Sequence, residues 1–363
     1  MMTILKHFCF VITRIIGRLF YHKHIWLLSD RKYQAGDNGE AFFQYLQHKD
    51  VGSVFAISKK SKDYERMKQY GSVVDYDSLK YKFLLCVADI HLSSQLIHIG
   101  NHTETPHIFL QHGIIVNDMH NMINPACHEN FYMVVSGNAE YESLINKPYI
   151  IQKENVLLTG LARYDFLKNT RKKKILLFFT WRKRLIDCPD NEFVNSDYYK
   201  AISSIYSDER IKRSIVCNGY SFVIKLHPEM QKFTSCFKLP DWAELSTESF
   251  NELTCESDLL ITDYSSLAFD FFYLKKNVIN YTFDSDIFSR DSIYRAEGYY
   301  DYKNGIGINV SNYEDFVNAF SECIKNDCKL STEQNQKIMA FFRYHDKNNC
   351  DRIYENALRI INR

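Results

Sequence analysis

The chain has 363 residues, a formal net charge of +1, and is 45% hydrophobic and 15% aromatic. That supplies apolar surface for roughly two domains and excludes a disordered chain. The balanced charge excludes a dedicated nucleic-acid binder. Its ten cysteines form no CxxC pair, which removes zinc-knuckle and thioredoxin-type sites and reads as reduced, buried thiols of a cytosolic protein.

The N-terminus places Ile4, Phe8, Ile12, Ile15, Ile16, Leu19 and Phe20 near helical spacing, interrupted by Lys6, Arg14, Arg18 and Lys23. The first acid is Asp30. Charges break the apolar run well before the ~18 residues a membrane span needs, and no small-residue cleavage site follows it. Two readings stand side by side: a basic amphipathic helix lying on an anionic membrane, and an ordinary helix packed on the first sheet.

Further on, Val54–Ile57, His107–Leu110, Tyr132–Val135 and Val156–Leu158 read as strands. Asn38–Gln47, capped by Asp37 or Asn38, and Asn138–Ile145 read as helices between them. This alternation predicts an α/β domain up to about residue 170. The run Arg171-Lys172-Lys173-Lys174 reads as a solvated linker. A second alternating set follows at Ile175–Phe179, Phe222–Leu226, Leu259–Ile261 and Val278–Tyr281, with a helical segment from Gln334 to Arg363. The expected organisation is therefore a helix over 1–25, one domain over 26–170, and a second over 171–363. The two parallel-sheet domains are expected to face a cleft.

Several strands end in polar clusters. In open parallel sheets ligands bind outside that carboxyl edge. Lys225-Leu226-His227-Pro228 follows Phe222-Val223-Ile224. Alternation puts Lys225 and His227 on one face, and Pro228 stops the strand. Thr262-Asp263-Tyr264-Ser265-Ser266 follows Leu259-Leu260-Ile261 and precedes a helix. Ser265 and Ser266 then sit where unsatisfied N–H groups favour phosphate, or act as plain N-caps. Asp263 and Asp270 either orient substrate hydroxyls or cap and solvate. Together these edges form a candidate diphosphate cradle.

At Gln111-His112-Gly113 a histidine able to accept a proton near neutral pH stands beside a glycine that permits close ligand approach. Asp118 lies near enough in sequence to assist. Arg182, in Thr180-Trp181-Arg182, can fork onto a phosphate or pack on Trp181. Asp284-Ser285-Asp286 matches a three-residue acidic metal motif, but such matches are frequent by chance, so a solvated acidic loop is expected.

Taken in order, these motifs resemble the CDP-glycerol:poly(glycerophosphate) glycerophosphotransferase family of teichoic-acid primases and polymerases. The resemblance runs from Trp26 to Arg352. It includes Ser29-Asp30-Arg31, Asp37-Asn38-Gly39 and Thr159-Gly160-Leu161-Ala162-Arg163-Tyr164-Asp165 besides the clusters above. It implies a GT-B fold of two Rossmann-like domains and a metal-independent, cofactor-free transfer of a polyol phosphate, releasing CMP. The donor is CDP-glycerol or CDP-ribitol. The acceptor is a hydroxyl of a cell-surface glycan, capsule polysaccharide or teichoic acid, lipid-linked acceptors included. The resemblance carries His112 over as general base, and His227, Lys225, Ser265 and Ser266 as the donor-diphosphate site. Arg352 falls where the family has an arginine and is carried over as a substrate contact. It also implies a cytoplasmic enzyme attached peripherally to the inner face of the bacterial membrane. The chain departs from the family at Ile114-Ile115-Val116-Asn117-Asp118, at Phe179 and at Gly305-Ile306-Gly307, which bears on the acceptor and the polyol. The rival expectation is a GT-B glycosyltransferase using a nucleotide sugar.

Overall fold

The computed structural model describes residues 12–15, 17, 24–96, 105–291, 298–302 and 304–362. Two compact units make up the chain. The first holds residues up to Ile114, then His120–Phe166 and Phe342–Arg363; the second holds Ile115–Met119 and Leu167–Phe341.

The first unit is built on a seven-stranded sheet, in the order β3-β2-β1-β4-β5-β6-β7. Its strands are β1 (Ile25–Ser29), β2 (Gly52–Ile57), β3 (Ser72–Asp75), β4 (Ile90–Ser93), β5 (His107–Phe109), β6 (Phe131–Val135) and β7 (Val156–Leu158). All its strand pairs are parallel. β1, β4, β5 and β6 are buried throughout, as expected when helices cover both faces of a parallel sheet. On one face Ile25, Leu27, Ala56 and Val74 pack under Tyr81, Leu84 and Val87 of the helix Leu79–Val87.

The second unit has a six-stranded parallel sheet, in the order β10-β9-β8-β11-β12-β13. The strands are β8 (Lys174–Leu177), β9 (Ser221–Ile224), β10 (Ala243–Leu245), β11 (Ser257–Thr262), β12 (Asn277–Tyr281) and β13 (Ile308–Val310). Alternate residues Ile175, Leu177, Phe222, Ile224, Leu259, Ile261, Ile279 and Tyr281 share one core. Residues of the helices Asp197–Ser207, Glu209–Cys217 and Tyr313–Lys325 complete it.

Both sheets follow the doubly wound order 3-2-1-4-5, extended on one side. The order reverses between β1 and β4 in the first unit and between β8 and β11 in the second, and these are the places where such sheets bind ligands. The expected α/β fold of two Rossmann-like units is the one observed.

Two expectations need revision. The helical pattern expected from Gln334 to Arg363 is observed, as the helices Thr332–Phe341 and Asn349–Ile361. The second of these belongs to the first unit, so no second domain runs unbroken from 171 to 363. Its start is capped by Asp165, which accepts from the Asn349 N–H at 3.0 Å and the Cys350 N–H at 2.7 Å. Further along, Asp351 binds the Tyr45 hydroxyl, and Tyr354 lies 5.5 Å from Trp26, ring to ring. Gly160, at φ +84°, lies where a side chain would collide with Asn349. The basic run at 171–174 is no loose linker either. Lys174 opens β8 and is held by Glu248 and Glu256, both at 2.8 Å, while Lys172 pairs with Glu256 at 2.5 Å.

Most of the expected basic N-terminal helix lies outside the described residues. Among those described, Arg14 donates to the Thr105 hydroxyl at 3.1 Å. Gly17 is buried where a side chain would meet Val87, while Ile12 and Ile15 are exposed.

Candidate functional site

In the first unit the site grows from the end of β1. Asp30, the next residue, is buried and accepts from the Asp37, Gly39 and Glu40 N–H groups at 3.0, 2.8 and 3.1 Å, and from the Ser94 hydroxyl at 2.6 Å. An acid just past the end of β1 thereby satisfies orphan donors at the start of the helix Asn38–Leu46. Gly39 permits that approach, because a Cβ there would strike Asp30 and the Ser29 carbonyl. Burial first, and the Asp37 carboxylate next, push the Asp30 pKa up to about 7.

Asp37 caps the same helix with one oxygen, accepting from the Asn38 N–H at 2.8 Å. Its other oxygen receives His112 Nδ1. Burial acts to raise the Asp37 pKa, but the charges and hydrogen bonds of His112 and Arg163 outweigh it and hold the carboxyl below its ordinary value. Arg163 braces the pair, with Nη1 3.1 Å from Asp37 Oδ1 and 3.1 Å from the His112 carbonyl oxygen. On the other side of the ring, Arg31 Nη2 lies 2.9 Å from His112 Nε2. Arginine only donates, so Nε2 is the acceptor and Nδ1 carries the proton that Asp37 receives. The His112 side chain is 54% exposed, so a ligand can reach it.

The residue before it, Gln111, is buried and holds φ +63°, a conformation that costs a non-glycine residue on the order of 1–3 kcal/mol. It is held there from both ends. Asn38 donates to its carbonyl at 2.8 Å, and its own amide donates to Glu140 at 2.9 Å and to the Val134 carbonyl at 2.5 Å. The expected placement of His112-Gly113 just past a strand is observed. Asp118 lies in the segment Ile115–Met119, which groups with the second unit. Asp37, expected only as a cap, is the carboxylate on His112. Arg31 and Arg163 belong to the motifs Ser29-Asp30-Arg31 and Thr159–Asp165, whose patterns indicate no partner for either. The signal present was Asp37 beside a helix start, but no sequence pattern reports that 75 residues later a ring lands on it.

In the second unit the carboxyl ends of β8, β9 and β11 converge. The His227 ring lies against Phe178 and Trp181, with centroids 6.1 Å apart in each case, and its Nδ1 accepts from the Glu229 N–H at 3.3 Å. The strand stops at Ile224, before Pro228, which was expected to end it and instead opens the 3₁₀ segment Pro228–Cys236. Lys225 turns the other way, toward the end of β10, donating to the Glu248 and Ser246 carbonyls at 2.6 and 3.3 Å. The two side chains therefore lean toward different neighbours, the histidine toward the segment after β8 and the lysine toward the segment after β10. Ser265 accepts from the Leu267 N–H at 3.1 Å, and Ser266 is the N-cap residue of the helix Leu267–Tyr273 without a capping bond from its side chain. Both serines are partly exposed.

Several expected ligand contacts are instead interior. Arg182 is buried, and Nε and Nη2 grip Asp284 at 2.8 and 2.9 Å. Nη2 also binds Asp263 at 2.8 Å, and Nη1 binds the Thr180 carbonyl at 2.6 Å. Its fork is committed to carboxylates, which corrects the expectation of phosphate binding. Asp263 is fully buried, accepts from the Thr180 N–H at 2.8 Å, and ties two strand ends together rather than touching substrate. Thr262 is fully buried and donates to the Phe178 carbonyl at 2.6 Å; Asp270 is buried as well. Asp284 belongs to this cluster and not to a solvated loop. Thr180 is itself partly exposed, yet its hydroxyl is buried without a partner among the described residues.

Arg352, back in the first unit, donates to the Thr159 carbonyl at 2.8 Å, to Asp346 twice at 2.9 Å, and to Asn349 at 2.7 Å. It also stacks 3.6 Å from the Tyr344 ring centroid. Those contacts make it a clamp on the C-terminal segment instead of the substrate contact expected.

Among known proteins, the chain is 33% identical over 371 aligned residues to the minor teichoic acid biosynthesis protein GgaB of Bacillus subtilis (strain 168). That match takes in 95% of this chain but only 41% of the length of GgaB. A teichoic acid poly(glycerol phosphate) polymerase of Bacillus spizizenii is 26% identical, covering 81% of this chain and 82% of the polymerase. The solved structure of the wall teichoic acid polymerase TagF superposes with a TM-score of 0.69 at 16% identity, covering 99% of this chain and 98% of that one; this likeness is one of fold. Residues 10–359 match the family model described as CDP-glycerol:poly(glycerophosphate) glycerophosphotransferase. The chain belongs to the CDP-glycerol:poly(glycerophosphate) glycerophosphotransferase family.

Proposed function

We propose that the chain transfers glycerol phosphate, or a related polyol phosphate, from a CDP-activated donor to a hydroxyl of a teichoic-acid or other cell-surface glycan acceptor, releasing CMP. The observation that carries this reading is the half-exposed His112 ring, fixed by Asp37 on Nδ1 so that Nε2, which accepts from Arg31, is its basic nitrogen, just past a strand of the parallel sheet. The acceptor oxygen attacks the β-phosphorus, its proton passes to Nε2, and the bond to the CMP oxygen breaks. General-base help of this kind supplies roughly 10²–10⁴-fold in rate.

His227, Lys225, Ser265 and Ser266 supply positive charge and donors for the donor diphosphate and the departing CMP. No metal ion or cofactor is required, because the protein provides that field itself; Asp284, half of the acidic motif, is already bound to Arg182. CDP-ribitol and lipid-linked acceptors remain within this reading. So does peripheral attachment to the inner membrane face, supported by the acid-free N-terminal stretch and by exposed Ile12 and Ile15.

The test is incubation with CDP-glycerol, CDP-ribitol and UDP-sugars, each with and without candidate acceptors, reading the nucleotide released. CMP release that depends on acceptor is expected. Release of UDP, with no CMP from either CDP donor, would replace this reading with a sugar transferase.

A further inference from the structure

Arg31 is the residue after the acid that closes β1, at the point where the strand order of the first sheet reverses. Its guanidinium is partly exposed, and among the described residues its side chain has one hydrogen-bond partner, His112 Nε2 at 2.9 Å. That nitrogen is the one that must take a proton from the attacking hydroxyl. As the protein stands, the proton acceptor is capped by a donor. Arg163, the other guanidinium of the cluster, is only 7% exposed and braces Asp37. Arg31 therefore has the solvent access that Arg163 lacks, and a single side-chain hydrogen bond to give up.

We infer that Arg31 is the contact for a phosphate group carried by the acceptor, and that drawing its guanidinium onto that phosphate uncovers His112 Nε2. The inference rests on the reading of His112 as base and adds the residue that holds the phosphate next to the reacting hydroxyl.

Three physical arguments converge on it. A planar guanidinium matches two phosphate oxygens, a geometry that a single ring nitrogen does not satisfy. Residues at the reversal point of a doubly wound sheet are the ones that meet ligand. A group within one hydrogen bond of Nε2 is also within reach of whatever flanks the hydroxyl that Nε2 serves. The exchange costs little, since Arg31 gives up one neutral acceptor for a charged one. Asp37 stays on Nδ1 throughout, so the ring keeps the tautomer that leaves Nε2 accepting.

The test uses glycerol 3-phosphate as the probe, with glycerol, CMP and CDP-glycerol as comparisons, on the full chain and on Arg31→Gln. Binding is read by calorimetry. The His112 ring nitrogens are read by ¹⁵N resonances, assigned by their loss in His112→Gln. In the unaltered protein glycerol 3-phosphate should bind and shift the Nε2 resonance, and glycerol should do neither. R31Q should weaken that binding roughly ten- to hundredfold, the share of a charge-assisted contact, while CMP and CDP-glycerol bind as before.

Failure of glycerol 3-phosphate to bind, or binding without movement of Nε2, overturns the inference. So does undiminished binding in R31Q, or a loss in R31Q confined to CDP-glycerol, which would assign Arg31 to the donor. The unaltered-protein arm stands even if R31Q misfolds. No arm requires turnover, so absence of CMP release in the donor panel would count against the proposed reaction and not against the Arg31 site.

Discussion

The Arg182 guanidinium holds both oxygens of the Asp284 carboxylate, Nε to Oδ2 at 2.8 Å and Nη2 to Oδ1 at 2.9 Å, with both side chains 1% exposed. Asp263 completes a buried triad with one cation and two anions. The cluster joins the segments that follow β8, β11 and β12, so it holds the ends on which Trp181 and Ser265 are mounted.

Breaking this cluster should unfold before it inactivates. Arg182→Ala leaves two carboxylates uncompensated in the interior, and removing one partner of a buried pair costs about 3–5 kcal/mol. Arg182→Lys should recover only part of that, because an ammonium cannot reproduce the fork. Urea denaturation checks it. A fully stable R182A with lost donor binding would make Arg182 a ligand contact after all.

Asp30 gives the first unit a pH dependence of unusual sign. Its folded pKa is raised from 3.8 to about 7, so the folded state holds the proton more tightly than the unfolded chain. The stabilisation is therefore complete below about pH 4 and lost as pH rises through about 7. Asp30→Asn, which does not titrate, should lower stability overall because it accepts fewer of the helix N–H bonds. It should also remove that downward slope. Denaturation midpoints at intervals from pH 4 to pH 8 for both proteins are the measurement, and parallel curves would show that Asp30 stays charged when folded.

The two histidines should fail differently. His112→Ala should lower turnover by roughly 10²–10⁴-fold and leave donor affinity nearly unchanged, since a base touches the acceptor proton. His227→Ala should weaken donor binding together with turnover, because a diphosphate contact acts in ground and transition states alike. Calorimetric affinity for CDP-glycerol beside initial rates separates them. An H112A protein that is folded but cannot bind donor would remove His112 from the role of base.

Turnover should survive EDTA. Loss of activity that magnesium or manganese restores would point to a metal held elsewhere, for Asp284 is engaged with Arg182.

The strands expected from sequence are ones with apolar runs, although β1, with the apolar run Ile25–Leu28, was not among them. Val156–Leu158 stands where it was expected, and the expected segments at Phe222 and Val278 shift by a residue or so. β10 and β13, three residues each and not fully buried, carry no such run. The edge positions of His112, His227 and Ser265 were legible because a polar cluster after a buried strand has few other places to go. What escaped were the partnerships: a motif arginine looks the same whether it faces substrate, as was expected of Arg182 and Arg352, or a carboxylate. Alternation also placed Lys225 and His227 on one face, but it does not encode which neighbouring strand each leans toward.

The return of the last helix to the first unit has a consequence for synthesis. Asp165 leaves the ribosome long before Asn349 and Cys350, whose N–H groups it caps, and Tyr45 waits still longer for Asp351. Throughout translation of Leu167–Phe341 the first unit lacks a helix that covers Trp26. The second unit, though made later, has all its segments by Phe341. Order of emergence and order of completion are thus inverted, and a nascent chain stalled near Phe341 should protect its second unit from protease before its first.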